Sequence, residues 1–218
     1  MSETIRLRFS KLGRAKYISH LDLIRCLQRA ICRANIPVAY SNGFHPHMQM
    51  SFASTLSLGF TSTGEILDLT LTEPLPPEEI LARLNAALPQ GIRMEEAGVP
   101  VSACRELAFA DYLVEIPCAA PVALLAAFDS LLAQPEILVE KKTKKGLRQV
   151  DIRPMLEVLE KSTTEECLVL KLRLTAGNRG GLNPTLVVQA LLKGTEIQVE
   201  TPHYCRIGLL TSEKVKFF

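Results

Sequence analysis

Three of the four histidines in this 218-residue chain fall within its first quarter, next to a run of evenly spaced arginines. His45 and His47 flank a proline directly after Asn42-Gly43, a dipeptide typical of tight turns because both residues tolerate positive φ. A histidine on such a turn can transfer a proton near neutral pH, ligate a metal ion or hydrogen-bond a polar ligand. The segment from Lys11 to Gly64 is therefore where a working surface is expected.

Metal binding and catalysis are two alternative roles for these histidines. His45 and His47 would supply two ligands from an extended segment, with His20 as a third. No acidic residue or cysteine follows at ligand spacing, which favours a site without metal. The catalytic alternative makes His20 or His45 the general base of a metal-independent endoribonuclease, with an arginine or lysine stabilising the reacting phosphate.

Arg25, Arg29 and Arg33 stand at i, i+4 and i+8 and so share one face of a predicted helix. Guanidinium groups bind phosphate oxygens in a bidentate geometry, so three in register predict a phosphate-binding ridge. The alternative is a solvated helix surface on which Asp22 pairs with Arg25.

Two aromatic residues precede the histidines on the same turn. Tyr40 and Phe44 would stack on unpaired bases and, with His45 and His47, shape a pocket. The alternative is that these aromatic side chains only anchor the turn.

A second basic cluster lies more than a hundred residues further on, in the sequence KKTKKGLRQVDIR from position 141 to 153. Gly146 predicts the tip of a hairpin with lysines on both sides. Clustered lysines track a phosphate backbone without sequence preference, although a solvated loop is the alternative. The predicted phosphate contacts in this hairpin are Lys141, Lys142, Lys144, Lys145 and Arg148.

Charge is distributed unevenly along the chain, although the net charge is only +2. Residues 1–50 carry 8 Lys and Arg against 2 Asp and Glu, residues 51–140 carry 3 against 13, and residues 141–218 carry 14 against 8. The two basic thirds therefore flank an acidic middle. This asymmetry favours a polyanion as ligand, with RNA as the first candidate.

The elements that position these residues follow from periodicity. In the first half, TIRLRF alternates like a half-buried strand, and Ser19 caps a helix over 20–35 whose apolar stripe is Leu21, Ile24, Leu27 and Ile31. Two strands over 48–56 and 65–72 follow, with GFTSTG as a hairpin turn between them. A helix that begins after Pro76-Pro77 and a strand near 92–99 complete the order β-α-β-β-α-β, which is typical of a ferredoxin-like fold.

The second half repeats this order. Strands are predicted over 107–116, 137–142, 166–175 and 204–210, helices over 121–133 and 183–193, and residues 155–160 are ambiguous. We therefore predict an α+β protein of two tandem ferredoxin-like domains with antiparallel sheets, over residues 1–102 and 103–218. The alternative is one continuous α+β sheet.

Composition restricts the function classes further. No apolar run approaches the roughly 20 residues of a membrane span, and the charged start is unlike a signal peptide, so a cytoplasmic protein without membrane contact is expected. The six cysteines are scattered without a CxxC pair, as expected of free thiols. No radical-SAM cluster motif, GxSxG elbow or dinucleotide fingerprint occurs, so no cofactor is predicted.

The segment RFSKLGRAKYISHLDLIRCLQRAICRANIPVAYSNGFHPHMQMSF, together with KTKKGLRQVDIRPML, resembles the radical-SAM-linked proteins, a bacterial domain family. One departure is Met48, where that family more often has proline. The resemblance covers essentially the whole chain. It implies a domain fused to, or encoded beside, a radical-SAM protein, and it supplies no catalytic residues.

The leading hypothesis is a non-catalytic RNA-binding accessory protein that presents ribosomal or transfer RNA to a radical-SAM partner. The endoribonuclease with His20 or His45 is the enzymatic alternative. A protein–protein adaptor that docks through the acidic middle without nucleic acid is the third hypothesis.

Overall fold

The computed structural model describes residues 3–143, 146–177 and 180–218, and it has mixed α+β structure. The strands in that part of the chain are β1 Glu3–Lys11, β2 Met50–Phe52, β3 Thr61–Leu71, β4 Ile92–Gly98, β5 Leu107–Pro117, β6 Leu138–Thr143, β7 Gly146–Asp151, β8 Leu156–Thr163, β9 Cys167–Thr175 and β10 His203–Thr211. The α-helices are α1 His20–Arg33, α2 Pro77–Ala87, α3 Pro121–Leu132 and α4 Pro184–Lys193. The predicted α+β class with antiparallel strand pairing is confirmed.

The chain divides into two compact units whose boundaries differ from the predicted domains. The first unit comprises residues 1–107 and 206–218, and the second comprises residues 108–205. The C-terminal segment thus belongs to the unit formed by the N-terminal half. Tandem ferredoxin-like domains over 1–102 and 103–218 stay a prediction.

In the first unit the strand order is β4-β1-β3, and the neighbours are antiparallel. Both β2 and the part of β10 from Arg206 onward lie beside β3. The Ser62 hydroxyl donates to the Arg206 carbonyl at 2.8 Å, so β10 occupies the first half of the β3 edge. For this reason β2 is three residues long, whereas the sequence predicted a strand over 48–56.

The core of the first unit lies between its sheet and the helices α1 and α2. Leu27 and Ile31 are buried as predicted, but Leu21 is 64% exposed and Leu23 takes its place in the core. The predicted stripe was therefore wrong at its first residue. Leu23, Leu27 and Ala30 lie on the face of α1 that packs on the sheet, and Leu21 lies on the solvent-exposed side of the first turn.

Strand β1 carries polar residues on a face that the alternating pattern predicted to be solvated. Arg6 is 1% exposed and forms a bidentate ion pair with Asp68, at 2.7 and 2.8 Å. The ring of Phe217 lies 5.2 Å from its guanidinium carbon. The C-terminal segment thus covers this part of the sheet, and the half-buried strand predicted from TIRLRF is buried on both faces.

Gly64 also differs from its predicted place. The sequence assigned GFTSTG to a hairpin turn, but β3 already begins at Thr61. A Cβ atom at position 64 would lie 3.0 Å from the Ile207 carbonyl oxygen, so the glycine permits the close approach of β10.

In the second unit β9 lies between β5 and β8 in antiparallel pairing, and α3 contacts both β8 and β9. In the ambiguous segment 155–160, Met155 ends a short 3₁₀ turn and the remaining residues lie in strand β8, which begins at Leu156. Within the described part of the chain, strands β6 and β7 pair with each other and form the predicted basic hairpin.

Candidate functional site

The C-terminal half of α1 forms one wall of a pocket in the first unit. Ser19 caps the helix by accepting the Asp22 backbone N–H at 3.2 Å, which satisfies one of the free donors of the first turn. Asn35, with φ of 49°, ends the helix and directs the chain into the histidine turn. Gln28, Arg29, Cys32 and Arg33 consequently face that turn.

The histidine turn, residues 41–47, is closed by hydrogen bonds at its base. The Ser41 N–H donates to the His47 carbonyl at 2.8 Å, and Tyr40 pairs with Met48 in an antiparallel bridge. The Ser41 hydroxyl accepts the His47 backbone N–H at 3.1 Å and lies 2.9 Å from His47 Nδ1. The imidazole is therefore fixed through one nitrogen, and Nε2 is the atom left for a ligand.

Phe44 lies within the histidine turn and is fully exposed, with a relative accessibility of 103%. Burial of an aromatic ring is among the larger favourable terms in folding, so a ring held entirely in solvent contributes little to this fold. Tyr40, at the base of the turn, is 50% exposed. The alternative that both aromatics merely anchor the turn is thus unsupported for Phe44.

A pocket of about 540 Å³ separates the helix from the turn. It is lined by Gln28, Arg29, Cys32, Arg33, Tyr40, Pro46, His47 and Met48. Four of the residues that the sequence singled out therefore line one cavity. These four residues are Arg29, Arg33, Tyr40 and His47.

The three arginines differ in what they already bind. Arg25 pairs with Asp22 at 3.1 Å, as the solvated-surface alternative expected. Arg33 donates to the Ala87 carbonyl at 2.7 Å and so satisfies an acceptor at the end of α2. Arg29 makes no hydrogen bond or ion pair with any residue in the described part of the chain. Its guanidinium donors are therefore available to a ligand in the pocket.

A second concave region adjoins the first on the other side of the arginine ridge. Its volume is about 420 Å³, and it shares Arg29 and Arg33 with the first pocket while adding Asp22, Arg25, Cys26 and Pro89. Burial raises the pKa of the Cys26 thiol, and the positive charges of Arg33 and Arg29 oppose that shift. Because Arg29 lines both pockets, an anion bound in either of them would contact its guanidinium.

Tyr40 and Cys32 connect the turn to the helix. Desolvation raises the pKa of the Tyr40 phenol, and a hydrogen bond with the Cys32 side chain raises it further. The phenol therefore stays protonated near neutral pH and can donate a hydrogen bond. The sequence indicated neither Cys32 nor Gln28, although both lie within one turn of Arg29 on the same helix face.

The two histidines proposed as general bases lie outside this pocket. His20 begins α1, and its ring packs edge-to-face on Phe52 with centroids 5.0 Å apart. Cys32 lies twelve positions further along the chain, which is about 18 Å along a helix axis. His45 is exposed on the turn but does not line the pocket.

Neither a metal cluster nor a membrane helix is found in residues 3–143, 146–177 and 180–218. No three His, Cys, Asp or Glu side chains in these ranges come close enough to hold a metal ion. No helix there is long and apolar enough to cross a bilayer.

The basic hairpin belongs to the second unit. Lys141 lies opposite Arg148 in the β6–β7 register, and its ammonium donates to the Gly181 carbonyl at 2.9 Å. Arg148 is exposed, and Lys142 lies opposite Leu147. The two remaining predicted contacts, Lys144 and Lys145, lie outside the described residues. Of this hairpin, Arg148 is thus the exposed cation that the structure describes.

The first unit contains a buried polar cluster that no sequence pattern predicted. Glu65 and Arg206 form a bidentate ion pair, and the charges of both residues shift the pKa of the nearby Lys11. Only the C-terminal strand brings Arg206 to β3, so no local pattern could have indicated the cluster. At 2% exposure for each of the three side chains, it has no open route to a ligand.

Comparison with known proteins gives a family for the chain. Residues 4–184 match the model of a family described as "Uncharacterized protein conserved in bacteria (DUF2344)". The chain belongs to this family. The matched range contains the arginine helix, the histidine turn and the basic hairpin, and it ends before β10. The family match carries no link to radical-SAM proteins.

Two further comparisons complete this picture. No curated protein matches the chain. Among solved structures, the chain is similar to one described as "Crystal Structure of an Unknown Protein from Galdieria sulphuraria", with 14% identity and a TM-score of 0.27. That likeness covers 92% of this chain and 97% of the other.

Proposed function

We propose that this DUF2344 protein binds RNA without cleaving it and presents the RNA to a partner enzyme. The observation that carries the proposal is the pocket between α1 and the histidine turn, which Arg29 and the half-exposed ring of Tyr40 both line. Arg29 has no hydrogen-bond or ion-pair partner in the described residues, and the same turn carries the fully exposed Phe44. Cationic and aromatic groups side by side are the combination that single-stranded nucleic acid requires.

The phosphate-binding part of the proposal rests on Arg29 and its neighbours. A guanidinium binds two phosphate oxygens at once, and Arg29 is engaged by nothing else in the described residues. His47 adds a hydrogen-bond donor or acceptor at Nε2, because Ser41 already engages Nδ1. Arg25 and Arg33 extend the positive charge along the helix, although Arg25 pairs with Asp22 and one donor of Arg33 is engaged by the Ala87 carbonyl.

The base-binding part rests on Phe44 and Tyr40. Stacking of a base on an exposed aromatic ring contributes about 1–3 kcal/mol. Phe44 is free to stack on both ring faces, and Tyr40 presents one half-exposed ring at the pocket wall. Bases are accessible to such rings only where the RNA is single-stranded.

The basic hairpin of the second unit is proposed as an additional phosphate contact. Arg148 is exposed, and lysines surround it in the sequence. This composition is typical of segments that bind a phosphate backbone without sequence preference. Lys141 is proposed to contribute charge rather than contact, since its ammonium donates to Gly181.

The finer architecture is proposed to be a pair of ferredoxin-like units. In the first unit, β4-β1-β3 with β2 on the far side of β3 is the antiparallel order that a split β-α-β arrangement produces. In the second unit, β5-β9-β8 with helices α3 and α4 supports the same arrangement, interrupted by the β6–β7 hairpin. The radical-SAM enzyme as the partner follows from the sequence resemblance alone.

The proposal is tested by filter binding of the purified full chain to single-stranded RNA across a salt series. We expect the logarithm of the association constant to fall linearly with the logarithm of salt concentration, because phosphate contacts release counterions. Absence of binding to any RNA at low ionic strength would overturn the proposal.

The same preparation tests the enzymatic alternative. Cellular RNA incubated with the protein in EDTA is expected to stay intact. Cleavage that His45→Ala or His20→Ala abolishes would instead make the protein a metal-independent endoribonuclease. Co-purification of a protein partner at high salt, with no RNA in the eluate, would favour the adaptor.

A further inference from the structure

We infer that the 540 Å³ pocket accepts one unstacked nucleotide of single-stranded RNA, with the phosphate on Arg29 and the base against the opposite wall. This inference rests on the proposed RNA binding and narrows it to a stated ligand unit. The volume lies within the range of about 300–1,000 Å³ that encloses small ligands, the size class to which a nucleotide belongs.

The two walls of the pocket differ in chemistry. The helix wall supplies the guanidinium of Arg29 and the amide of Gln28, whereas the turn wall supplies the side chains of Tyr40, Pro46 and Met48 beside His47. A nucleotide has the same asymmetry, because its phosphate is anionic and its base is a flat apolar surface with polar edges. A base within a duplex has both faces covered by its neighbours, so only an unstacked nucleotide can contact both walls of the pocket.

Gln28 is placed to contact the edge of the base. Its side-chain amide offers two donors and one acceptor, and it makes no hydrogen bond to any residue in the described ranges. Gln28 precedes Arg29 directly and lines the same cavity. It is therefore within reach of a nucleotide whose phosphate pairs with Arg29. The amide is therefore the group that we expect to discriminate among the four bases.

Cys32 provides a reporter of occupancy within the same wall. Of the six cysteines, which are all free, Cys32 alone is exposed, while Cys118 is buried and the others are intermediate. Because Cys32 lines the pocket, a nucleotide bound there is expected to cover the thiol against an alkylating reagent such as iodoacetamide. Mass spectrometry of the digested protein gives the alkylation rate at each cysteine separately.

The experiment measures the alkylation rate of Cys32 in the full chain with three kinds of probe: the four 5′-mononucleotides, an oligouridylate strand and a blunt RNA duplex. With a mononucleotide or the single strand at about ten times its Kd, we expect Cys32 to react roughly tenfold more slowly, because about one tenth of the protein is free. The duplex is expected to leave the rate unchanged. Cys205, at the end of the second unit, is the internal control whose rate should not change.

The outcomes separate this inference from the proposed function. If filter binding detects RNA but Cys32 reacts at its free rate, RNA binds elsewhere and the inference is overturned while the proposed function stands. If neither assay detects RNA, both are overturned. Equal protection by duplex and single strand would also overturn the inference, since it would require no unstacked base.

Two variants test whether Gln28 contacts the edge of the base. Gln28→Ala is expected to reduce the differences in Kd among the four mononucleotides, whereas Gln189→Ala, an exposed glutamine on α4, should leave them unchanged. Unchanged discrimination in Gln28→Ala would remove Gln28 from the site. Thermal unfolding of both variants checks that each remains folded.

Discussion

The guanidinium of Arg206 lies 2.7 and 2.5 Å from the two carboxylate oxygens of Glu65, although 141 positions separate the residues. Both side chains are 2% exposed, and the remaining guanidinium nitrogen donates to the Ser54 hydroxyl and the Thr55 carbonyl. The pair joins β10 to the first half of β3. It therefore ties the end of the chain to the unit that the N-terminal half forms.

Removal of one partner of this pair should destabilise the protein severely. Glu65→Gln leaves the Arg206 cation buried without its counter-charge, close to the Lys11 cation. We expect a loss of about 3–5 kcal/mol in the free energy of unfolding, measured by urea denaturation. The double variant Glu65→Gln/Arg206→Met should recover part of that loss, because no uncompensated Arg206 charge remains.

The matched control for this prediction is an exposed pair of the same type. Glu79→Gln breaks the ion pair with Arg83 one turn away on α2, where both side chains are about 40% exposed. The expected loss is about 0.5 kcal/mol or less. Equal losses from the buried and exposed pairs would contradict the role of burial.

Lys11 should make stability depend on pH below its unfolded-state pKa. Burial lowers the pKa of the Lys11 ammonium below 10.5; the charge of Glu65 opposes this shift and that of Arg206 adds to it. Between the folded-state pKa and 10.5 the unfolded chain binds more protons, so this contribution to stability rises with pH. Relative to Lys11→Met, the free energy of unfolding of the wild type should therefore increase as pH approaches 10.5.

Urea denaturation of both proteins at several pH values between 7 and 10.5 measures this difference. Titration of the other groups cancels in the comparison, and Lys193→Met, at an exposed position on α4, is the control. Parallel curves for wild type and Lys11→Met would show that the lysine titrates alike in the folded and unfolded chain.

Arg29→Ala should weaken RNA binding uniformly across sequences. One lost phosphate contact lowers the slope of log K against log salt by about 0.7 for single strands. Stability should change little, because Arg29 has no hydrogen-bond or ion-pair partner in the described residues. Filter binding with Arg93→Ala, an exposed arginine on β4, as the control would reveal a merely general charge effect.

Phe44→Ala should separate binding from stability. The ring is fully exposed, so the free energy of unfolding should stay within about 0.5 kcal/mol of the wild type. Loss of a stacked base should cost about 1–3 kcal/mol of RNA affinity, a decrease of roughly 5- to 150-fold. Val122→Ala on α3 is the matched exposed apolar control, and equal affinities for all three proteins would remove Phe44 from the interface.

Gly91→Ala should destabilise the first unit through the backbone. Gly91 has φ of 91°, and a Cβ atom there would lie 2.7 Å from the Leu12 carbonyl oxygen. The strained φ alone costs on the order of 1–3 kcal/mol, and the contact adds to it. Thermal unfolding measures the effect, with Gly208→Ala, which meets nothing within 4 Å and has no positive φ, expected to be near neutral.

Most of the helices and strands could be predicted because their causes are local. Ser19 and Asn183 cap α1 and α4, and the prolines at the first turns of α2 and α3 mark where those helices begin. The basic hairpin was also predicted, because its composition and its central glycine lie within thirteen residues. The length of β2 was not, since β10 decides it from more than 140 positions away.

For the candidate site, the types of residue and their grouping on one helix face or one turn could be predicted without the structure. The spacing of Arg25, Arg29 and Arg33 and the order of residues in the histidine turn are local properties of the chain. Tertiary packing, by contrast, gives Arg25 and Arg33 their partners, leaves Arg29 without one in the described residues, and brings Cys32, Tyr40 and His47 to one pocket. Ion pairs, buried charges and cavities depend on distances between elements, and these distances are set by the packing of the chain and not by its local sequence.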